Sequence, residues 1–472
     1  MNRANATRAT VAAAVALLVS ACSLMPAYER PAAPVAADWP VPAAAEGPSP
    51  AIGSGLAAAE LPWADFLADA RLRALVTLAL QNNRDLRVAV LNVEQARAQY
   101  GIQRADRLPS VNLGLTGSRL PSGSGGISST YTAGLAVSAF ELDLFGRVKS
   151  LSAAAFARYL ASDEGRRAAQ VSLVAAVANA DLALRADDEL LELTSRTLAS
   201  REDGLRLTRV RFDAGVAAEG DLRSAESLVD AARANLYALQ RQRIQDLNAL
   251  VLLVGEPLPA GLPPAAPLEA VHLADLPAGL PSEVLLRRPD VRQAEEQLIA
   301  ANANIGAARA AFFPRITLTG SAGFASNALS SLFEHSAWSF APQLVQPLFD
   351  AGRSQAGLES ARAGRAIAVA QYEKAIQVAF REVADALAGR ATLSGQLAAQ
   401  QAQARAEARR LELADMLYRG GAASQLDRLD AERSSLAARQ AVIQLELARV
   451  QNAVLLYRVL GGGAGPAALA TR

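Results

Sequence analysis

Asp85–Pro109 reads DLRVAVLNVEQARAQYGIQRADRLP, and Asp290–Pro314 reads DVRQAEEQLIAANANIGAARAAFFP. Both stretches run from an aspartate to a proline over the same interval. Farther on, LFGR ending at Arg147 answers LFDAGR ending at Arg353, and DLRSAE ending at Glu226 answers DRLDAE ending at Glu432. The chain therefore repeats itself about 206 residues on. A duplication of this length predicts two structurally equivalent halves within one fold, a first repeat at 66–256 and a second at 286–462.

Each half reads as helix, strand, loop, strand, very long helix and returning helix. The opening helices stop at Pro109 and Pro314, which cannot continue a helix and suit the first residue of a strand. Val111, Leu113 and Leu115 then alternate with Asn112, Gly114 and Thr116, and Ile316 and Leu318 with Thr317 and Thr319. That is the period of strands with one apolar and one polar face. Strands are predicted at about 110–120, 131–145, 315–324 and 338–349. Each has roughly the ten residues that a tilted strand needs to cross a bilayer. Tyr131, Phe140, Phe324, Trp338 and Phe340 suit the two membrane interfaces. Taken alone, four such strands would equally make a small soluble pair of hairpins.

No proline falls between Arg147 and Pro257 or between Pro347 and Pro466. Long helices are predicted at 148–213 and 353–419, returning at 219–254 and 424–460. The first would span roughly 100 Å at about 1.5 Å per residue. Val177, Leu184, Leu191, Leu198, Leu205 and Phe212 recur every seven residues. The second half repeats the stripe at Val383, Arg390, Leu397, Ala404, Leu411 and Tyr418, broken only by Arg390. A strict seven-residue period packs helices as a left-handed coiled coil, although the core of an ordinary bundle would use the same stripe. The turns fall at Phe212-Asp213-Ala214-Gly215 and Tyr418-Arg419-Gly420-Gly421, where glycine ends a helix naturally. Residues 257–285 are a proline- and leucine-rich linker, and 463–472 a tail.

Composition supports long helices over a thick core: 51% of the 472 residues are hydrophobic, but only 5% are aromatic. A net charge of +1 with interspersed signs gives no field for nucleic acid. His272, His335 and one cysteine cannot build an ordinary zinc site. No grouped Ser, His and Asp and no phosphate-type glycine loop is present, so no enzyme activity and no cofactor are expected.

The amino terminus has Arg3 and Arg8, an apolar run from Val11 to Val19, then Ser20-Ala21-Cys22. This reads as a signal peptide at 1–21, too short to span a bilayer. Leu18-Val19-Ser20-Ala21-Cys22 resembles a bacterial lipobox, which would make Cys22 the acylated first residue; the plainer alternative is an incidental cysteine. Ser23 in place of aspartate fits outer-membrane sorting. Residues 22–65 are rich in Pro, Ala and Gly and are expected to be an extended tether.

Phe140-Glu141-Leu142-Asp143-Leu144-Phe145-Gly146-Arg147, Arg287-Arg288-Pro289-Asp290, Phe312-Phe313-Pro314 and Gln346-Pro347-Leu348-Phe349 resemble the TolC-type outer-membrane factors. Within these, the chain is similar to the nodulation-type efflux lipoproteins, over about residues 60–462. The resemblance implies an α+β membrane protein: a homotrimer, each chain giving four strands to one outer-membrane β-barrel, continued into the periplasm by an α-helical coiled-coil barrel. It implies an outer-membrane location, a lipid on Cys22, and as partners an inner-membrane pump and a periplasmic adaptor. The implied function is passive conduction of drugs or other exported compounds to the outside. A type I protein-secretion duct and a lipid-anchored periplasmic scaffold are the competing readings.

The resemblance also implies that acidic residues at Asp427 and Asp430 ring a closed periplasmic mouth, with Tyr418 helping to hold it shut. By the repeat offset Asp427 answers Asp221, a further gate candidate. Gly215, Val216, Gly420 and Gly421 are the tips expected to meet the adaptor, and Arg419 and Arg428 are candidates for bonds across hairpins. Carboxylates crowded on one axis should raise some of their pKa values. Ser424-x-x-Asp427 also fits a capping box, a purely local role.

Overall fold

A computed structural model describes residues 24–36, 38–40, 60–121, 123, 125–276 and 282–463. The signal peptide, the 464–472 part of the tail and Cys22 lie outside the described residues. In chain order the elements are α1 (Trp63–Phe66), α2 (Ala70–Asn82), α3 (Arg84–Ala105), β1 (Val111–Pro121) and β2 (Ile127–Leu142). Then come α4 (Arg147–Asp213), α5 (Glu219–Val254), α6 (Pro289–Ala310), β3 (Arg315–Ser326) and β4 (Ser336–Val345). The last two helices are α7 (Arg353–Arg419) and α8 (Gln425–Val459). The described residues form two compact units, each drawing on both sequence halves. One holds those of Met1–Ala33, Val90–Glu164 and Arg292–Ala375; the other holds those of Pro34–Ala89, Gly165–Val291 and Ile376–Arg472.

In the first unit the two hairpins join into a single antiparallel sheet of order β1-β2-β3-β4. β2 begins at Ile127, earlier than the expected 131, because Ser128, Ser129 and Thr130 continue the ladder opposite Leu120, Arg119 and Ser118. It ends at Leu142, and β4 ends at Val345 rather than near 349. Asp143 is already engaged in starting α4, its carboxylate accepting from Val148 N at 3.0 Å and Lys149 N at 2.7 Å. Pro347 has no N–H to extend β4.

The register sorts the residues by face. Val111, Leu113 and Leu115 lie beside Val137, Leu135 and Ala133, then Ala322 and Phe324, then Trp338. This apolar face is open in the single chain, Leu113 being 83% and Trp338 80% exposed. The opposite face carries hydroxyls that pair across strands, Thr116 with Thr132 at 2.6 Å and Ser321 with Ser339 at 2.7 Å. Between Val137 and Phe140 the register slips, with Ala139 at φ 51°. This β-bulge keeps Phe140 and Leu142 on the apolar face and turns Glu141 to the polar one. There Glu141 pairs with Arg147 at 2.6 Å and Arg315 at 2.7 Å. Among the described residues no helix is long and apolar enough to cross a membrane.

The expected extended tether is, where described, docked as a strap. Glu295 of α6 accepts from Tyr28 OH at 2.9 Å and from Arg30 Nε at 2.7 Å. Asn302 Nδ2 donates to Pro26 O at 2.9 Å, and Arg309 Nη1 to Leu24 O at 3.1 Å. The Pro, Ala and Gly content predicted no contacts for it; these few side chains supply them. In the second unit Trp39 stacks on Phe380 with ring centroids 4.5 Å apart.

That second unit displays the duplication in its hydrogen bonds. Asn83 Nδ2 donates to Leu253 O at 2.8 Å, and Arg288 Nη1 to Val459 O at 2.8 Å. Leu253 and Val459 hold matching places at the ends of α5 and α8. Both seven-residue stripes are buried or half-buried. Arg390, the break in the second, sends its guanidinium to Leu276 O at 2.7 Å and Asp275 at 2.9 Å, so its charge leaves the apolar seam. A buried ionic group joins α2, α4 and the linker: Arg185 contacts Asp69 at 2.9 Å and Asp181 at 2.7 Å, and Arg71 contacts Asp181 at 2.9 Å.

Asp187 of α4 is 7% exposed and faces Asp246 of α5, with Asp188 and Arg243 beside it. Burial first, then the hydrogen bond and repulsion with Asp246, push its pKa up to about 7. The folded chain thus keeps a proton that the unfolded chain releases above its ordinary value near 3.8. The resulting stability is complete below that value and is lost as pH rises through about 7. Asp187→Asn is expected to flatten the fall in thermal stability between about pH 4 and 7. Parallel wild-type and variant curves would refute it.

Candidate functional site

The turns that close the two long hairpins lie in the second unit, and the repeat makes them near copies. Gly215 and Gly421 both adopt φ 74°. Val216 N donates to Arg211 O at 2.9 Å, and Ala422 N to Leu417 O at 2.9 Å. These are Schellman closures, in which a residue without Cβ takes the left-handed position. Gly420 precedes that position and needs no positive φ. Val216 is 67% exposed at its tip.

The two hairpins then diverge. Tyr418, at the end of α7, accepts from Arg211 Nη1 of α4 at 2.7 Å and donates to Gln425 Oε1 of α8 at 3.3 Å. Arg211 and Arg428 lie over its ring, 5.6 and 5.4 Å from the centroid. Such stacking contributes roughly 0.5–1 kcal/mol at exposed sites. Gln425 Nε2 reaches Thr208 Oγ1 at 3.5 Å. Three helices of this chain thus meet at one phenol. Arg211, Thr208 and Gln425 correspond by the repeat to Leu417, Ala414 and Glu219, so the first half lacks the same set.

Asp427 and Ser424 form the capping box of α8: Asp427 N donates to Ser424 Oγ at 3.1 Å, and the carboxylate accepts from Ser424 N at 3.2 Å. Ser424 also donates its hydroxyl to Asp427 at 2.7 Å. These bonds hold the Asp427 carboxyl below its ordinary pKa. Within one chain this is opposite to the upward shift expected from crowded acids. Asp430 accepts from Arg410 Nη2 of α7 at 2.5 Å and is half exposed. Asp221 sits in the first turn of α5 behind Ala218, which has no side-chain oxygen to complete a box. Arg419 pairs within its own helix with Asp415 at 2.8 Å, whereas Arg428 spans from α8 to the same carboxylate at 3.8 Å.

The gate candidates Tyr418 and Asp430, named from the resemblance, are bonded here to Arg211, Gln425 and Arg410, partners that the sequence reading did not name. The available signal was the failure of the repeat at those three places.

The sequence profile described as "Outer membrane efflux protein" matches residues 75–256 and 280–462. The chain is 46% identical over 461 residues to the probable efflux pump outer membrane protein TtgC of Pseudomonas putida, covering 96% of this chain and 94% of that protein. It is 47% identical over 459 residues to the outer membrane protein OprJ of Pseudomonas aeruginosa, covering 95% and 94%. Among solved structures, the open-state MtrE outer membrane channel of Neisseria gonorrhoeae superposes with a TM-score of 0.84 at 41% identity, over 94% of this chain and 99% of that one. CusC gives 0.83 at 38% identity, covering 94% and 100%. With an exposed apolar sheet face and matches spanning both repeats, the chain belongs to the outer membrane efflux protein family and is an efflux channel of the outer membrane.

Proposed function

We propose that three copies of this chain close their sheets into one barrel and that their helices continue it as a coiled-coil tube. The tube would take cargo from an inner-membrane pump through a periplasmic adaptor, with a lipid on Cys22 as an added anchor. The observation that carries this reading is the sheet itself. It has one apolar and one polar face, and β1 and β4 each present an unpaired edge. Hydrocarbon does not tolerate unpaired backbone groups, so closure must come from further copies. The polar, hydroxyl-bearing face then lines the lumen. Relatives are described as toluene, solvent and antibiotic efflux pump proteins, which favours small apolar or amphipathic cargo. Conduction is passive, a transport role with no bond-making chemistry.

In this reading Tyr418, Asp427, Asp430 and Asp221 line the periplasmic mouth, and Gly215, Val216, Gly420 and Gly421 are the tips offered to the adaptor. The Arg211–Tyr418–Gln425 contact holds α7 against α4 and α8, so opening requires that contact to break. Purified protein in planar bilayers is expected to conduct as a trimer. Asp427→Ala with Asp430→Ala should raise single-channel conductance severalfold and weaken block by divalent cations. A monomer without conductance would overturn the channel reading; an unchanged conductance and block in the double variant would overturn the gate.

A further inference from the structure

The strap and the sheet of the first unit together point to a seat for an acyl chain. Glu295, Asn302 and Arg309 stand seven residues apart on α6 and hold Arg30, Pro26 and Leu24 in that order. The strap therefore runs antiparallel to α6, and its described end lies beside the last turn of that helix. Met25 packs against a small-residue cluster that includes Ala154, Ala300 and Ala303. Gly306 makes room for it, since a Cβ there would lie 2.8 Å from Met25 Cα and 2.5 Å from Ser150 Oγ. Ser150 is in the first turn of α4 and Gly306 is near the end of α6, so Met25 sits where helices give way to β2 and β3. Cys22 is three residues before Met25, at most about 11 Å of extended chain.

On the apolar face of the sheet, at that same helical end, lies a groove of about 490 Å³. Val111, Leu135, Val137, Phe140, Leu318 and Phe340 line it. Gly320, paired with both Val137 and Phe340, leaves its floor low. The bulge at Ala139 brings Phe140 to its wall. Those six side chains offer hydrocarbon contact, and Thr319 and Ser321 also border the groove without a charged group among the lining.

We propose that this groove seats an acyl chain borne by Cys22, so that the strap delivers the lipid to a fixed place on its own protein rather than to bulk bilayer. The proposal rests on the lipidation of Cys22. The strap supplies the direction and the groove supplies the apolar volume.

The full-length protein would be produced in cells fed a diazirine-bearing fatty acid, irradiated in native outer membranes, and digested for mass spectrometry. The expected result is an N-terminal acyl peptide cross-linked to peptides containing Phe140 or Leu318. Leu135→Trp, which fills the groove, should strongly deplete that product. Gly306→Leu, which displaces Met25, should redirect labelling to phospholipid while the mass of the acylated N-terminal peptide stays unchanged. If Cys22 is acylated but labels only phospholipid in the parent protein, or if both variants leave the cross-link intact, the seat is refuted. An N-terminal peptide without acyl mass would instead remove the lipidation reading, and the seat with it.

Discussion

Gly134→Val and Gly323→Val are each expected to deplete the SDS-resistant, heat-modifiable form of the protein in outer membranes by about tenfold or more, since overpacking typically costs about 1–3 kcal/mol. The two glycines face each other across β2 and β3. A Cβ on Gly134 would lie 2.5 Å from Ala322 O, and one on Gly323 2.2 Å from Ala133 O. Both obstacles are backbone, which cannot swing aside as a side chain would. Gly114, paired with Gly134 on the other side, is the control: a Cβ there meets nothing within 4 Å. Gly114→Ala should therefore assemble normally. Equal loss in all three variants would mean that the sheet rejects side chains here for some reason other than close approach.

Arg185→Met carries the other large expectation. The guanidinium is 2% exposed and neutralises Asp181, at 1%, and Asp69, at 10%. Removing it leaves two buried carboxylates with only Arg71 between them, an imbalance that costs about 3–5 kcal/mol. The thermal unfolding temperature in detergent should fall sharply, whereas Arg223→Ala, on a pair 65% exposed on both sides, should move it little. Adding Asp69→Asn to Arg185→Met should restore much of the loss, because Asp181 keeps Arg71 at 2.9 Å and an amide at 69 needs no cation. If the double variant is as unstable as the single one, packing and not charge is what Arg185 provides.

Much of this architecture could be read from the chain because its punctuation is strong. Gly215 and Gly421 stop the outgoing helices, and Gly255 and Gly461, each at φ of 75–85°, stop the returning ones. Proline-free intervals between those marks leave little room for another assignment. The strap was hidden because composition averages over Tyr28, Arg30 and Trp39, three anchors among many small residues. The start of β2 was hidden because Ser128, Ser129 and Thr130 carry turn chemistry and yet complete a ladder whose partner strand already exists. Tyr418 could be picked out by resemblance, but its hydrogen bond to Arg211 joins residues 207 apart and leaves no local trace. The buried group at Arg185 is similar: Asp69 is 116 residues away, and nothing near either residue advertises the other.

The slip at Ala139 acts as a frame correction for β2. Odd-numbered residues from Ile127 to Val137 lie on the apolar face and even-numbered ones from Phe140 onward do so, with the odd residue Glu141 thereby kept on the polar face. Smoothing out the bulge while keeping the residue would send every later side chain of the strand to the wrong face, Glu141 to the apolar one and Phe140 and Leu142 to the polar one, whereas deleting Ala139 together with the bulge would leave their faces unchanged. The polarity of the strand is thus written in two reading phases, and the join between them, rather than any one side chain, is what an alanine scan would fail to reveal.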